Sequence, residues 1–363
     1  MGYPLNECHS SLMTNLAFID VSGVGNSGKS AAVDLLREFD GIFVPNFQFE
    51  FDFLRVRGGL IDLRHALLED WSPVRSHAAF KAFLKVASRM GRNPRAWWDV
   101  PAWIESTSQR YDRHFFESFL ELTQTFARSF VIGSYFAEWP YDDLCSSPVQ
   151  VFMRKFIRRL GGRRKLLREV FLLDGTDFDK QAYAYLTQLF QKVVPKNINR
   201  VILNNGFEPF NPVPFLDMLD GSRQIVVTRD PRDVYVSGQN NHHANAADKK
   251  LFAFDNDGLN KSFLAADDIE LFVSRYRLYH QHLFQGTDKR VLRLRFEDLV
   301  LDYESVVARV LAFLDLPPEK HVSPRLNFDP TRSRENVGVW RKYSKHTELR
   351  FIEAQLEEFL VSD

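Results

Sequence analysis

The chain has 363 residues, of which 45% are hydrophobic and 26% are charged, a composition typical of folded globular proteins and not of disordered ones. Its 47 basic side chains balance 47 acidic ones, so no overall charge attracts the protein to nucleic acid. Two cysteines, Cys8 and Cys145, exclude a disulfide framework, and no apolar stretch has the length of a membrane span. We therefore expect a cytoplasmic protein without a transmembrane segment or a nucleic-acid partner.

The first predicted elements are a strand, a glycine-rich turn and a helix. Residues 16–21 form a short apolar run, and residues 29–39 carry apolar side chains at helical spacing. Between them, residues 23–30 match the pattern G-x-x-x-x-G-K-[ST]. Glycines let successive backbone N–H groups turn inward, while the helix N-terminus and Lys29 add positive charge. The pattern predicts a loop that binds a phosphate-like anion through Gly25, Asn26, Ser27, Gly28, Lys29 and Ser30.

A second strand is predicted over residues 41–53. Phenylalanine alternates with polar residues from Phe47 to Phe53, which would place Glu50 and Asp52 on one face of that strand. The two carboxylates would then serve either as acid–base groups or as ordinary solvated side chains.

Residues 60–195 have a different character, because helical patterns dominate. Helices are predicted over 63–68, 78–90, 115–130, 151–171 and 182–194. Eight of the fifteen residues from 154 to 168 are basic. They form either the solvated face of a helix that buries its apolar side or a surface for an anionic acceptor at a membrane.

The sheet resumes after this insertion. Strands are predicted over 200–204, 224–228 and 290–294, and helices over 267–283, 303–314 and 346–360. We expect one α/β domain with a P-loop-like parallel sheet flanked by helices. Its nucleotide-binding core would comprise residues 15–55 and 196–345, with a large helical insertion over 60–195 and a C-terminal helix over 346–363.

A second motif follows the strand at 224–228. Residues 229–237 run Arg-Asp-Pro-Arg-Asp-Val-Tyr-Val-Ser, and Pro231 suits the first turn of a helix. The motif resembles the 3′-phosphate site of sulfotransferases that use 3′-phosphoadenosine-5′-phosphosulfate (PAPS). The loop at 23–30, the strand–loop–helix block at 292–317 and the segment 333–343 are similar to the corresponding parts of that family.

The resemblance implies a role for each matching residue. Arg229 and Ser237 would hold the 3′-phosphate, and Arg334 and Gly338 would belong to a C-terminal cofactor loop. Lys29 stands where that family often has Thr or Ser, and we expect it to supply the positive charge at the leaving phosphate without a metal ion. The product would be 3′-phosphoadenosine-5′-phosphate (PAP).

The resemblance also proposes a general base for a hydroxyl acceptor. Glu50 lies just beyond the first helix, as the catalytic glutamate does in several glycan and tyrosine sulfotransferases. Asp52, His242 and His243 are the alternatives, with the two histidines expected in a loop.

From the sequence we favour an acceptor that contains carbohydrate. Two other functional classes also fit the sequence. The alternatives to a sulfotransferase are an ATP-dependent kinase and a nucleotide-binding protein without activity. A kinase would need an aspartate at a strand end to hold Mg²⁺, and Asp230 is a poor candidate.

Overall fold

A computed structural model describes residues 15–45, 49–94, 98–100, 104, 106–107, 109–141, 146–160, 167–247 and 268–361. Of residues 241–247 only the backbone is described. The strands are β1 Ala17–Gly23, β2 Ile42–Phe43, β3 Val131–Ala137, β4 Arg168–Leu173, β5 Arg200–Ile202, β6 Arg223–Thr228 and β7 Val291–Arg295.

The described part contains α-helices on both sides of the strands along the chain. They are α1 Lys29–Leu36, α2 Leu60–Leu68, α3 Pro73–Gly91, α4 Tyr111–His114, α5 Phe119–Arg128, α6 Pro148–Arg159, α7 Phe178–Phe190, α8 Val213–Met218, α9 Pro231–Ala247, α10 Ile269–Leu283, α11 Phe296–Leu301, α12 Tyr303–Phe313, α13 Pro330–Ser333 and α14 His346–Gln355. In the part of the chain that is described, none of them is long and apolar enough to cross a bilayer.

Five strands form a parallel sheet in the order β2-β5-β1-β6-β7. On one face, Ile19 and Val21 pack in a cluster with apolar residues of α1 and α12. On the other face, Phe18 joins the aromatic core of the insertion, and Val226 packs with residues of α9, α10 and α14. The predicted α/β class with a parallel sheet flanked by helices is confirmed.

The register of this sheet positions the site. Gly23 at the end of β1 is paired with Val227, and Thr228 at the end of β6 is paired with Arg295. Because the strands are parallel, the segments that follow β1, β6 and β7 leave the sheet at the same edge. The glycine-rich loop and Arg229 therefore lie side by side.

The strand predicted over residues 41–53 is confirmed at Ile42–Phe43 and is wrong at residues 44–45 and 49–53. Residues 46–48 lie outside the described part, and Asp52–Leu54 form a 3₁₀ helix. Phe49, Phe51 and Phe53 are nevertheless buried, and the Phe51 N–H donates to the carbonyl of Leu203 at 3.1 Å. The segment crosses the end of β5 instead of pairing along it, so Glu50 is not on a strand face.

The helix predicted over residues 151–171 is also wrong, because α6 ends at Arg159 and Arg168–Leu173 is a strand. That strand, β4, pairs with β3 in an antiparallel sheet within the insertion. The pairing joins segments far apart in sequence, which local periodicity does not register.

Two smaller predictions need correction. The helix expected over 115–130 begins at Phe119, because Phe116 and Glu117 have φ angles of 48° and 62°, outside the range of a right-handed helix. The backbone at His242 and His243 belongs to α9 and not to a loop.

Candidate active site

The glycine-rich loop connects β1 directly to α1. Gly28 precedes the first turn of α1 with a φ of 85°, a conformation that costs glycine little. A Cβ at this position would lie 2.3 Å from Cδ2 of Phe296, so the aromatic ring fixes the loop from outside. The backbone N–H groups of Gly28, Lys29 and Ser30 donate to no acceptor among the described residues. They are available for an anion at the helix N-terminus.

Lys29 lies opposite Glu50 at the mouth of this loop. Its ammonium nitrogen is 2.5 Å from Oε1 of Glu50, and the same oxygen accepts a 2.8 Å hydrogen bond from Nδ2 of Asn205. Burial alone would raise the pKa of Glu50. The Lys29 charge, the hydrogen bonds from Lys29 and Asn205, and the Arg55 charge outweigh it and hold that pKa below the ordinary glutamate value.

Asp52, the alternative carboxylate, has a different partner. One of its oxygens accepts hydrogen bonds of 3.0 and 2.9 Å from the guanidinium of Arg55. Arg55 also lies 4.0 Å from Glu208, whose pKa is raised by burial. Lys29 contacts Glu50 and not Asp52, so Glu50 is the carboxylate that reaches the glycine-rich loop.

Buried polar groups of the sheet hold the turn that carries Asn205. Asp20, in the centre of β1, accepts hydrogen bonds from the Gly206 N–H at 2.6 Å and from Nε2 of Gln224 at 3.1 Å. Complete burial raises the pKa of Asp20 to about 6, and these hydrogen bonds and the Arg55 charge lower it only in part. Asp20 fixes the turn after β5 that carries Asn205.

Arg229 follows β6 and points toward the loop. Nη1 donates to the Asn26 carbonyl at 3.1 Å, Nη2 donates to the Asn336 carbonyl, and Cζ lies 4.9 Å from the centre of the Phe296 ring. The residue is only 8% exposed, yet Nε has no hydrogen-bond partner within the described structure. Burial lowers the pKa of Arg229, although the charges of Asp233, Glu297 and Asp230 oppose the shift. A buried cation with an unused donor suits an anionic ligand.

The C-terminal segment is tied to α9 beside Arg229. Both carboxylate oxygens of Asp233 accept backbone hydrogen bonds, from Gly338 at 2.7 Å and from Trp340 at 3.2 Å. The guanidinium of Arg232 lies 3.9 Å from the centre of the Trp340 ring. Gly338, with a φ of 71°, begins the 3₁₀ turn Val339–Lys342.

The other predicted ligands lie around this cluster. Ser237 is partly exposed in the second turn of α9, and at its neighbour Gly238 a Cβ would lie 3.6 Å from Nδ2 of Asn26. Arg334 is exposed, and its side chain makes no hydrogen bond or ion pair with the described residues. The structure thus brings Lys29, Glu50 and Arg229 together, with Arg334 at the periphery. The side chains of His242 and His243 lie outside the described part.

Sequence reasoning missed three contributions to the site. The Asn336 carbonyl binds Arg229, Asp233 holds the C-terminal segment, and Phe296 supports both Arg229 and the loop. Asp233 and Phe296 lie inside segments that the sequence had singled out, but the reach of their side chains depends on long-range contacts. Among the described residues, no group of three or more His, Cys, Asp or Glu side chains could hold a metal ion.

A comparison with protein families matches residues 179–320 to a model described as the Sulfotransferase family. The predicted resemblance is confirmed. No curated protein matches this chain. Solved structures of sulfotransferase domains are among those similar to this chain.

Three of these structures illustrate the similarity. The sulfotransferase domain from the curacin biosynthetic pathway is 14% identical, with a TM-score of 0.39 and coverage of 96% of this chain and 99% of that one. The sulfotransferase domain of the Synechococcus PCC 7002 olefin synthase is 15% identical, with a TM-score of 0.39 and 94% of each chain covered. Retinol dehydratase, in complex with androsterone and the inactive cofactor PAP, is 16% identical, with a TM-score of 0.32 and coverage of 95% and 82%.

The sulfotransferase match covers only part of the site. It includes Arg229 and Ser237, while the loop at 23–30, Glu50 and the segment with Arg334 and Gly338 lie outside it. The match supports sulfuryl transfer in general.

Proposed function

We propose that this protein transfers a sulfuryl group from PAPS to a hydroxyl acceptor and releases PAP. The observation that carries the proposal is the position of Arg229, a buried cation with an unused Nε donor whose guanidinium contacts the glycine-rich loop. One nucleotide with a phosphate at each end of its ribose would satisfy both anion sites at once.

The residues present fit such a nucleotide. The free N–H groups of Gly28, Lys29 and Ser30, together with the Lys29 ammonium, would hold the 5′-phosphosulfate side. Gly25, Asn26 and Ser27 complete the loop. Arg229 and Ser237 would hold the 3′-phosphate, and the turn with Gly338 would close over it, with exposed Arg334 as a further cation.

PAPS supplies an activated sulfuryl group, so the protein has to position the acceptor and remove its proton. Glu50 is ionised at neutral pH, since its pKa lies below the ordinary glutamate value, and it would accept that proton. Lys29 holds Glu50 at 2.5 Å in the structure. When Lys29 turns to an anion in the loop, Glu50 would lose its main counter-charge and become a stronger base.

The surroundings of Glu50 support a hydroxyl-rich acceptor, and we propose one that contains carbohydrate. Asn205 donates to Glu50, and the charge of Arg55 acts on it. Arg55 in turn binds Asp52 and lies 4.0 Å from Glu208, so this region offers both hydrogen-bond donors and acceptors. Such a set suits the several hydroxyl groups of a sugar ring.

The direct test incubates the protein with PAPS and a panel of glycans, lipids and small alcohols, and detects sulfated products and PAP by mass spectrometry. We expect PAP formation that depends on an acceptor and is lost in Glu50→Gln. Thermal stabilisation by ATP with Mg²⁺ that exceeds that by PAP would overturn the proposal in favour of a kinase. Stabilisation by PAP without any product would indicate a binding protein without activity.

A further inference from the structure

Helix α6, Pro148–Arg159, carries its apolar residues on the outside. Val149, Phe152, Met153, Phe156 and Leu160 recur at helical spacing, and they are 70%, 66%, 49%, 49% and 71% exposed. No residue of the helix is buried. In an ordinary surface helix this stripe would face the core, so its exposure calls for a partner.

The opposite side of the helix makes the contacts with the protein. Arg154 donates to the Ser146 hydroxyl at 2.9 Å, and Arg158 forms a 3.1 Å ion pair with Glu138, one residue beyond β3. Val151 and Arg154, which are only partly exposed, lie on this side. The ion pair of Arg158 turns this side of α6 toward the end of β3, so the apolar stripe points away from the molecule.

Basic residues accompany the stripe. Lys155 and Arg159 are exposed, and neither forms an ion pair with a described residue. On a helical wheel with 100° per residue they lie on the flank next to Phe152. Residues 148–160 contain four cations and no acidic side chain, although the whole chain is neutral.

We propose that α6 docks the protein on an anionic phospholipid bilayer, with the apolar stripe in the headgroup–acyl boundary and Lys155 and Arg159 at the lipid phosphates. An exposed apolar face bordered by cations is the pattern of helices that lie in a membrane interface.

Charge argues against a second copy of this chain as the occupant. A two-fold interface would bring the same patch from both copies together, so the cations of one helix would face those of the other. A bilayer rich in phosphatidylglycerol presents the opposite charge and an apolar layer at the same depth.

The test is co-sedimentation of the full chain with vesicles. We expect binding to equimolar phosphatidylglycerol and phosphatidylcholine, little binding to phosphatidylcholine alone, and a loss of affinity at high salt. Phe152→Ser with Phe156→Ser should weaken partitioning at least about tenfold. Lys155→Glu with Arg159→Glu should weaken it at least about 25-fold, since each cation near an anionic surface contributes about fivefold.

Matched variants isolate the helix. Val322→Ser with Leu326→Ser removes two exposed apolar side chains elsewhere, and Lys192→Glu with Lys196→Glu reverses two exposed charges outside α6. Both should bind like the wild type. The proposal is overturned if the wild type does not bind anionic vesicles or if the α6 variants bind as well as the controls. It is equally overturned if light scattering shows a dimer that Phe152→Ser with Phe156→Ser converts to a monomer. Vesicle binding does not depend on PAPS, so its failure is distinct from a failure of the proposed activity.

Discussion

The ammonium of Lys29 lies 2.5 Å from Oε1 of Glu50, and this pair joins the anion-binding loop to the proposed base. The Lys29 charge helps to hold the pKa of Glu50 below the ordinary glutamate value, against the effect of burial. Burial is the largest single influence on this pKa, and a ligand that draws Lys29 into the loop leaves only Asn205 and Arg55 to oppose it. We therefore expect the pKa of Glu50 to rise when the nucleotide binds.

This relationship predicts a specific pH profile. A base must be deprotonated, so activity falls as the pH falls through its pKa. The acid limb of kcat/KM for PAPS, which reports the free enzyme, should lie below the ordinary glutamate value, and the acid limb of kcat should lie at higher pH. Limbs near about 6.5 in both profiles would instead indicate a histidine base such as His242 or His243.

Glu50→Gln should lower kcat by about 10²–10⁴-fold, because the amide cannot accept the acceptor's proton. The affinity for PAP should be kept or slightly raised, since Lys29 no longer has a charged partner. Asp52→Asn is the matched control, because Asp52 binds Arg55 and not Lys29. Equal kcat values for Glu50→Gln and the wild type would exclude Glu50 as the base.

Arg229→Ala should weaken PAP binding by about 10- to 100-fold, the range for loss of a charge-assisted contact. AMP, which lacks the 3′-phosphate, should bind the variant and the wild type alike. Calorimetric titration with both nucleotides measures the difference, and Arg223→Ala, at the opposite end of β6, is the control. If Arg229→Ala weakened AMP binding as much as PAP binding, Arg229 would not bind the 3′-phosphate.

Gly28→Ala and Gly41→Ala separate two effects of adding a Cβ. Their φ angles are 85° and 84°, but the new Cβ would lie 2.3 Å from Phe296 at Gly28 and would meet nothing within 4 Å at Gly41. Gly41→Ala should lower the free energy of unfolding only by the backbone strain, about 1–2 kcal/mol. Gly28→Ala should lower the free energy of unfolding by more than Gly41→Ala does, with a lower melting temperature, and should abolish PAP binding. Identical melting temperatures would show that Phe296 does not restrain the loop.

Asp20 predicts how stability depends on pH. Burial raises its pKa to about 6, so the folded state binds a proton that the unfolded state releases near pH 4. Stability from this group is therefore full below the unfolded pKa and is lost as the pH rises to about 6, by about 3 kcal/mol for a shift of about two units. Asp20→Asn should not show this loss when free energies of unfolding are compared by urea titration at pH 4 and pH 7. If the free energy of unfolding fell equally in both proteins between pH 4 and pH 7, other titratable groups would be the cause.

The sequence determined the strand–loop–helix unit at residues 17–36 and the strands β1, β5, β6 and β7 of the parallel sheet, because burial on both faces leaves uninterrupted apolar runs. It also placed Arg229, and the glycine-rich loop that leads to Lys29, directly after strands. Since parallel strands end at one edge of the sheet, both positions had to lie at that edge. The pairing of β1 with β6, which the structure shows, makes them neighbours.

Only the tertiary structure decided the rest. The alternation from Phe49 to Phe53 described burial correctly, but the segment is no strand, because its hydrogen-bond partner is the turn after β5. The choice of Glu50 over Asp52 as the partner of Lys29 depends on where Arg55 and Asn205 lie. The apolar stripe of α6 reads as a core face in sequence, and the ion pair of Arg158 turns it outward. Periodicity records which residues share a face, while long-range contacts decide what that face meets.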